Sequence, residues 1–242
     1  MIKIISRDDK KISFVTGISE TLANTIRRTA LEIPILAIDE VEIYKNDSAL
    51  YDEVLAHRLG LIPLVTQKSI GEKESFDLKI QAKGPLTVLS KDLKGNAEVA
   101  YEKIPIVILD KDQEIELVAR ARLGKGIEHS KYSPGLVYYR NLAKVEVNKE
   151  CDGCKECVEA CPQKIIEVEK GKAEVKDIYK CDLCEACVEA CKQHNKHAIK
   201  IEKSPELIFF IESWGQIKPQ EILSRAVSQL NSNLNELSKT IK

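Results

Sequence analysis

The chain has 242 residues, enough for two or three compact units. Hydrophobic residues make up 43% and charged residues 31%, an ordinary soluble composition with a formal net charge of -1. This balance argues against broad nucleic-acid binding through phosphate neutralisation, and no run approaches the ~18 apolar residues of a membrane helix.

The opening, M-I-K-I-I-S-R-D-D, has charges inside any would-be apolar run, so no signal peptide is expected. Residues 2–15 read as two short strands around a turn at Asp8–Lys11, with Ile12, Phe14 and Val15 in the second. Gly17 breaks the pattern, and Ser19 is placed to cap a helix with Glu20 in its first turn. That helix is expected to run to Leu31 or Ile33 with Leu22, Ile26, Ala30 and Ile33 on one apolar face, and Pro34 stops it. Arg27 and Arg28 fall in its C-terminal half, where cations are favoured. By position alone they are a solvated pair that supports the helix.

Ile35–Tyr44 reads as a strand, and Asn46, Asp47 and Ser48 as a loop. Residues 51–60 predict a short helix with Val54, Leu55 and Leu59 apolar and Gly60 at its end. Pro63 tells against a central strand after it, and the polar stretch 66–75 reads as a linker. From Phe76 the apolar period becomes two: Phe76, Leu78, Ile80 and Ala82 alternate with Asp77, Lys79 and Gln81. Leu86–Leu89, Ile104–Leu109, Glu114–Ala121 and Ala143–Val147 are further strand candidates, so this middle region is expected to be mainly β. Gly124–Gly135 is a long loop for a small domain. Its His129 and Tyr132 are candidates for function, although a loop rich in Gly, Ser and Pro is equally just a loop. Its G-x-G lacks the ending of a phosphate loop.

All eight cysteines lie between 151 and 191. Cys151, Cys154, Cys157 and Cys161 follow the spacing C-x2-C-x2-C-x3-C, with Pro162 next, and Cys181, Cys184, Cys187 and Cys191 repeat it without the proline. This is the bacterial-ferredoxin pattern, in which the fourth cysteine of each motif ligates the other cluster. On that rule one 4Fe-4S cluster takes Cys151, Cys154, Cys157 and Cys191, and a second takes Cys181, Cys184, Cys187 and Cys161. Cross-ligation would staple the two halves into a unit too small to hold much core, with metal supplying much of its stability. Three other readings stay open: four disulfides, two four-cysteine zinc sites, or one intact cluster beside a degraded second site. His194 and His197, in the basic run after Cys191, are read as exposed loop residues rather than ligands. Cysteines kept free for metal imply a reducing compartment, hence cytoplasm.

Glu206–Ser213 carries the apolar run L-I-F-F-I and is expected to be a buried strand. Pro219 suits the first position of a last helix. Along it, Leu223, Val227, Leu230, Leu234, Leu237 and Ile241 recur at spacings of 4, 3, 4, 3 and 4, a helix–helix seam. Packing back on its own domain is one outcome; a seam with another subunit is the preferred one. No nucleophile motif, dinucleotide fingerprint, H-E-x-x-H or magnesium-binding acidic triplet is found. Read from the residues alone, this is an iron-sulfur module inserted in a scaffold, and a ferredoxin-type electron-transfer protein or redox-enzyme subunit is the alternative to a scaffold role.

The flanks carry a resemblance. T-L-A-N-T-I-R-R-T-A-L-E-I-P (Thr21–Pro34) resembles the first helix of the archaeal RNA polymerase D subunit family, counterpart of the bacterial alpha amino-terminal domain and of the third-largest subunit of eukaryotic polymerase II. L-Y-D-E-V-L-A-H-R-L-G-L-I-P-L (Leu50–Leu64) and G-I-E-H-S-K-Y-S-P (Gly126–Pro134) resemble two further signatures of that family, and F-F-I-E-S-W-G with the last helix matches the return to its dimerisation domain. The resemblance covers essentially the whole chain. It implies an α+β fold: a discontinuous alpha-like dimerisation domain (1–45 and 204–242), interrupted by a mainly-β domain (46–147) and a ferredoxin-like domain (148–203). It also implies a heterodimer with subunit L, on which the small subunits N and P and the large catalytic subunits assemble. Arg27 and Arg28 then become candidates for gripping a large subunit, and Leu223, Val227, Leu230 and Leu234 for the L interface or its supporting core. Catalysis would belong to the large subunits, with no sequence-specific DNA binding and no membrane contact by this chain. Members of the family differ in cluster content, so a single 3Fe-4S or 4Fe-4S cluster is the fallback to two 4Fe-4S clusters.

Overall fold

The computed structural model describes residues 2–67, 69–71, 74–193 and 197–241. The chain opens with β1 (Lys3–Arg7), β2 (Lys11–Thr16) and α1 (Glu20–Thr29), then β3 (Ile35–Asn46) and α2 (Asp52–Gly60). Next come β4 (Ser75–Lys83), β5 (Leu86–Leu89), β6 (Lys94–Gly95), β7 (Pro105–Leu109) and β8 (Glu114–Gly124). After β9 (Gly135–Val147) follow α3 (Glu156–Ala160), β10 (Ile166–Glu169), β11 (Lys172–Val175) and α4 (Ala186–Gln193). The chain closes with β12 (Ile199–Ser213) and α5 (Pro219–Thr240). By packing it divides into two units, one of residues 1–7, 13–23 and 138–210, the other of 8–12, 24–137 and 211–242. One four-stranded sheet has the order β1-β2-β12-β9, another β3-β8-β4-β6, and β5-β7 and β10-β11 form two-stranded ribbons.

The β-rich part of the larger unit is built on the antiparallel pairs β3–β8 and β4–β8. Leu78 opposes Ala119 and Ile80 opposes Leu117, and these four join Leu36, Ile38, Leu55 and Leu59 in one buried cluster. The alternation read from Phe76 onward is therefore a strand with its apolar face inward. Leu55 and Leu59 point α2 into that cluster, whereas Val54 is exposed, a correction to its place in the expected apolar set. Residues spaced by four share a helix face. Val54 precedes Leu55 by one position, which turns it about 100° away from that face.

Between Ile38 and Glu40 the β3–β8 register shifts. Such a bulge re-aims a side chain, and Asp39, the residue at the shift, accepts hydrogen bonds from Arg122 Nε (2.6 Å), Lys131 Nζ (2.6 Å) and Tyr132 OH (2.9 Å). Burial alone would raise the Asp39 carboxyl, but these three donors outweigh it and hold it well below the usual carboxylate range. Burial and the Asp39 charge push the Tyr132 hydroxyl up in turn. The long loop is thereby ordered: Tyr132 is a core side chain, and His129 Nδ1 accepts from Lys131 N at 3.1 Å. Gly124 leaves the space Tyr132 needs, since a Cβ there would lie 2.5 Å from its ring.

α1 starts after Ser19, whose Oγ accepts from Leu22 N at 3.3 Å, and a 3-10 turn over Ala30–Glu32 completes it. Ala23, Ile26, Ala30 and Ile33 are buried, but Leu22 is exposed, so the inward face is turned one residue from the expected one. β9 begins eight residues before the expected Ala143, and β12 seven before the expected Glu206. Arg140 and Asn141 in the first, and charges with Pro205 in the second, hid these extensions. Thr66, expected in a linker, is buried and donates to Leu64 O, while Leu36 N donates to it.

Candidate metal centre

The two cysteine motifs fold alike. Each begins in a loop, Cys151–Lys155 or Cys181–Glu185, and runs into a short helix, α3 or α4. Each loop contains two residues in the left-handed region, Gly153 (φ 75°) and Lys155 (φ 70°) in the first, Leu183 (φ 62°) and Glu185 (φ 60°) in the second. Turns of this kind curl the backbone so that its N–H groups face a concavity, an arrangement that favours an anionic cluster. The helices then carry Cys157 and Cys187 inward, both buried, while Cys154 and Cys184 at the loop tips stay exposed. The hairpin β10–β11, with Ile166 opposite Val175 and Val168 opposite Ala173, supplies an apolar wall.

Two hollows result. Cys151, Cys154, Cys157 and Cys191 line one, with Val168, Ala173 and Ile199. Cys161, Cys181, Cys184 and Cys187 line the other, with Ile165, Ile166 and Ile201. Each hollow therefore takes three thiols from one motif and the fourth from the other. All eight cysteines are free thiols. Among the described residues no three His, Cys, Asp or Glu side chains close on a single point as one metal ion requires; the thiols stand around a space. Burial, then the neighbouring Cys161, Cys181, Cys157 and Cys184, pushes the Cys187 thiol up to about 11. Burial again, then Cys151, Cys154 and Cys191, raises Cys157. Bound metal cations would supply the charge that favours the thiolate form at these two positions. Soft sulfur donors in apolar walls fit iron-sulfur clusters. One further contact points at a sulfur, Ala173 N donating to Cys151 Sγ at 3.4 Å.

The remaining candidates lie elsewhere. Arg27 is half-buried, its Nε and Nη2 donating to Asn24 Oδ1 at 3.2 and 3.0 Å, and Arg28 is exposed. On α5, Ile222 and Ala226 are buried, and Asn233 Nδ2 donates to Glu32 Oε2 at 2.7 Å. The heptad stripe lies off that inward face: Leu223 and Leu230 are half-buried, and Val227, Leu234, Leu237 and Ile241 are 38%, 54%, 57% and 76% exposed. His197 is exposed, and His194 lies outside the described residues. Sequence reasoning missed Arg140, which donates to the Cys181 and Tyr179 carbonyl oxygens; nothing in its local pattern marks it. Gly153 was a legible turn signal, whereas its counterpart Leu183 was not.

With this geometry in view, residues 41–138 match the family described as RNA polymerase Rpb3/RpoA insert domain, and residues 143–192 match the 4Fe-4S dicluster domain. Over 254 residues the chain is 35% identical to DNA-directed RNA polymerase subunit Rpo3 of Thermococcus kodakarensis, covering 98% of this chain and 97% of that one. It is 35% identical to the Rpo3 of Archaeoglobus fulgidus, over 100% of this chain and 97% of that one. It is 37% identical to that of Methanothermobacter thermautotrophicus, over 95% and 94%.

Proposed function

The chain belongs to the Rpo3 family of archaeal DNA-directed RNA polymerase, and on that footing we propose that it is the enzyme's non-catalytic assembly subunit. The polymerase is a nucleotidyltransferase complex, and in this reading its chemistry rests with the large subunits. The observation that carries the proposal is the exposed apolar stripe of α5. A stripe with heptad spacing whose Val227, Leu234, Leu237 and Ile241 stay exposed among the described residues is what a helix–helix seam with another subunit needs. We assign Leu223, Val227, Leu230 and Leu234 to pairing with subunit L. Arg27 and Arg28 are assigned to the large subunits, with N and P completing the platform. The partition into 1–45, 46–147, 148–203 and 204–242 belongs to the same proposal, as does a cytoplasmic location. No helix among the described residues is long and apolar enough to cross a membrane.

The dicluster domain match and the two thiol-lined hollows support two 4Fe-4S clusters. Cys151, Cys154, Cys157 and Cys191 would hold the first, and Cys161, Cys181, Cys184 and Cys187 the second. Their role in this reading is to hold the inserted domain folded and so to sustain polymerase assembly.

Anaerobic co-purification of the full chain with subunit L, with iron and sulfide assayed on the complex, tests the reading. A one-to-one complex with about eight irons is expected, and Leu234→Glu is expected to abolish it by placing a charge in the seam. A wild-type chain that ignores L and instead exchanges electrons with a redox enzyme overturns the assembly role. A complex with three or four irons removes the second cluster and leaves the assembly role standing.

A further inference from the structure

Arg140 reaches from β9 to the loop that starts the second cysteine motif. Its Nη1 donates to the carbonyl oxygen of Cys181, and its Nη2 to that of Tyr179 at 2.6 Å. The guanidinium lies 5.5 Å from the centroid of the Phe210 ring, and Tyr179 is itself held by the Lys3 ammonium, 5.1 Å from its ring centroid. The matching segment of the first motif is fixed by a neutral side chain. There Asn148 Oδ1 accepts from Glu150 N at 2.8 Å, and Asn148 Nδ2 donates to His197 O at 3.0 Å. The second motif has its own counterpart of the Asn148 contact, Asp177 Oδ1 accepting from Tyr179 N at 3.1 Å, so Arg140 is a grip added to it. At the second hollow a fixed cation, Arg140, thus grips the backbone carbonyl of a buried cysteine, Cys181, while the Asn148 contacts at the first reach Glu150 N and His197 O.

We propose that Arg140 is a positioning residue for the second cluster, holding the Tyr179–Cys181 segment in ligating shape and raising that cluster's reduction potential. The inference rests on the two-cluster reading above. The planar fork satisfies two carbonyl groups at once in a fixed geometry, which a lysine cannot reproduce. Reduction adds negative charge to a cluster, so a cation fixed beside one of its ligands favours the reduced state.

The test is a redox titration of the anaerobically purified full-length chain followed by electron paramagnetic resonance, together with the rate of iron release to a chelator. Wild type, Arg140→Met and Arg140→Lys are compared, and Cys184→Ser identifies the second cluster's signal. Arg140→Met is expected to shift the second potential to more negative values and to speed loss of that cluster about 10-fold, with the first cluster unchanged. Arg140→Lys is expected to keep the potential near that of wild type while still losing iron faster. If Arg140→Met loads only the first cluster, Arg140→Lys decides, and wild-type release from it overturns the proposal. Two clusters in the wild type with both potentials unmoved, or moved together, in Arg140→Met also overturns it. A wild type with one cluster overturns the two-cluster reading and this inference with it.

Discussion

The region around β3, β4 and β8 and the region between β9 and β12 both close a core, but with different materials. Among the described residues, the first buries seventeen, aliphatic or alanine without exception, in one cluster. The second buries eleven, and five of these are Cys157, Cys161, Cys181, Cys187 and Cys191. Where the β-rich region brings Leu78, Ile80 and Leu117 together across strands, the cysteine-rich region arranges its thiols around hollows. Apolar packing stabilises as soon as surfaces meet. Thiols around a space do so only when something links them, and a unit this small has little else to draw on.

The largest expected effect follows from that contrast. Stripping iron from the anaerobic chain with a chelator should unfold the cysteine-rich region and leave the β-rich one folded. Hydrogen exchange reads both at once. Amides of α3, α4 and the β10–β11 hairpin should lose protection entirely, while those of β4 and β8 keep it. Retained protection in α3 and α4 after complete iron loss would show that the aliphatic residues there suffice, and the comparison would fail.

The same contrast explains what was legible in the sequence. Period-two alternation in Phe76–Ala82 is a one-dimensional signal of a local geometry and read correctly as a strand, whereas the cysteine spacing marked the motifs but not the short helices α3 and α4 that carry Cys157 and Cys187. β9 and β12 were under-read, because Arg140, Asn141 and Pro205 break the local pattern. Those strands are set by their neighbours in the sheet, a contact no window of sequence contains. The face of α1 was misjudged by one residue at Leu22 for the same reason, since spacing fixes a periodicity and only packing fixes its phase. Tyr132, singled out in a loop, proved to be core, and the bulge that brings Asp39 to it left no trace in composition.

A smaller effect sharpens the comparison inside the β-rich region, at the charge cluster centred on Asp39. Asp39→Asn leaves Arg122 and Lys131 without their carboxylate, and should cost about 2 kcal/mol in urea unfolding of that region. Because the folded carboxyl sits below its ordinary value, its stabilisation is complete above about pH 4 and disappears as pH falls further. The wild-type advantage over Asp39→Asn should therefore be flat from pH 5 to about 8 and shrink in acid. An advantage that instead grew below about pH 4 would mean that the carboxylate is not what holds the loop. Iron content should not change with this substitution.

The smallest effect separates the two halves of the cysteine-rich region itself. Glu185 is exposed and held at φ 60°, a conformation that costs a side-chain-bearing residue about 1 kcal/mol. Glycine adopts it freely but loses more entropy on folding, so Glu185→Gly should gain about 0.5 kcal/mol, seen as roughly two-fold slower iron release from the second centre. Gly153→Ala works in the opposite sense at the first centre. The residue sits at φ 75°, and its added Cβ would lie 3.0 Å from the Gly171 carbonyl oxygen, so iron should leave that centre faster. Opposite signs from the two substitutions would show that loop conformation limits how firmly each centre holds iron. Equal rates in both variants and wild type would place the limit in the thiols and their apolar walls instead.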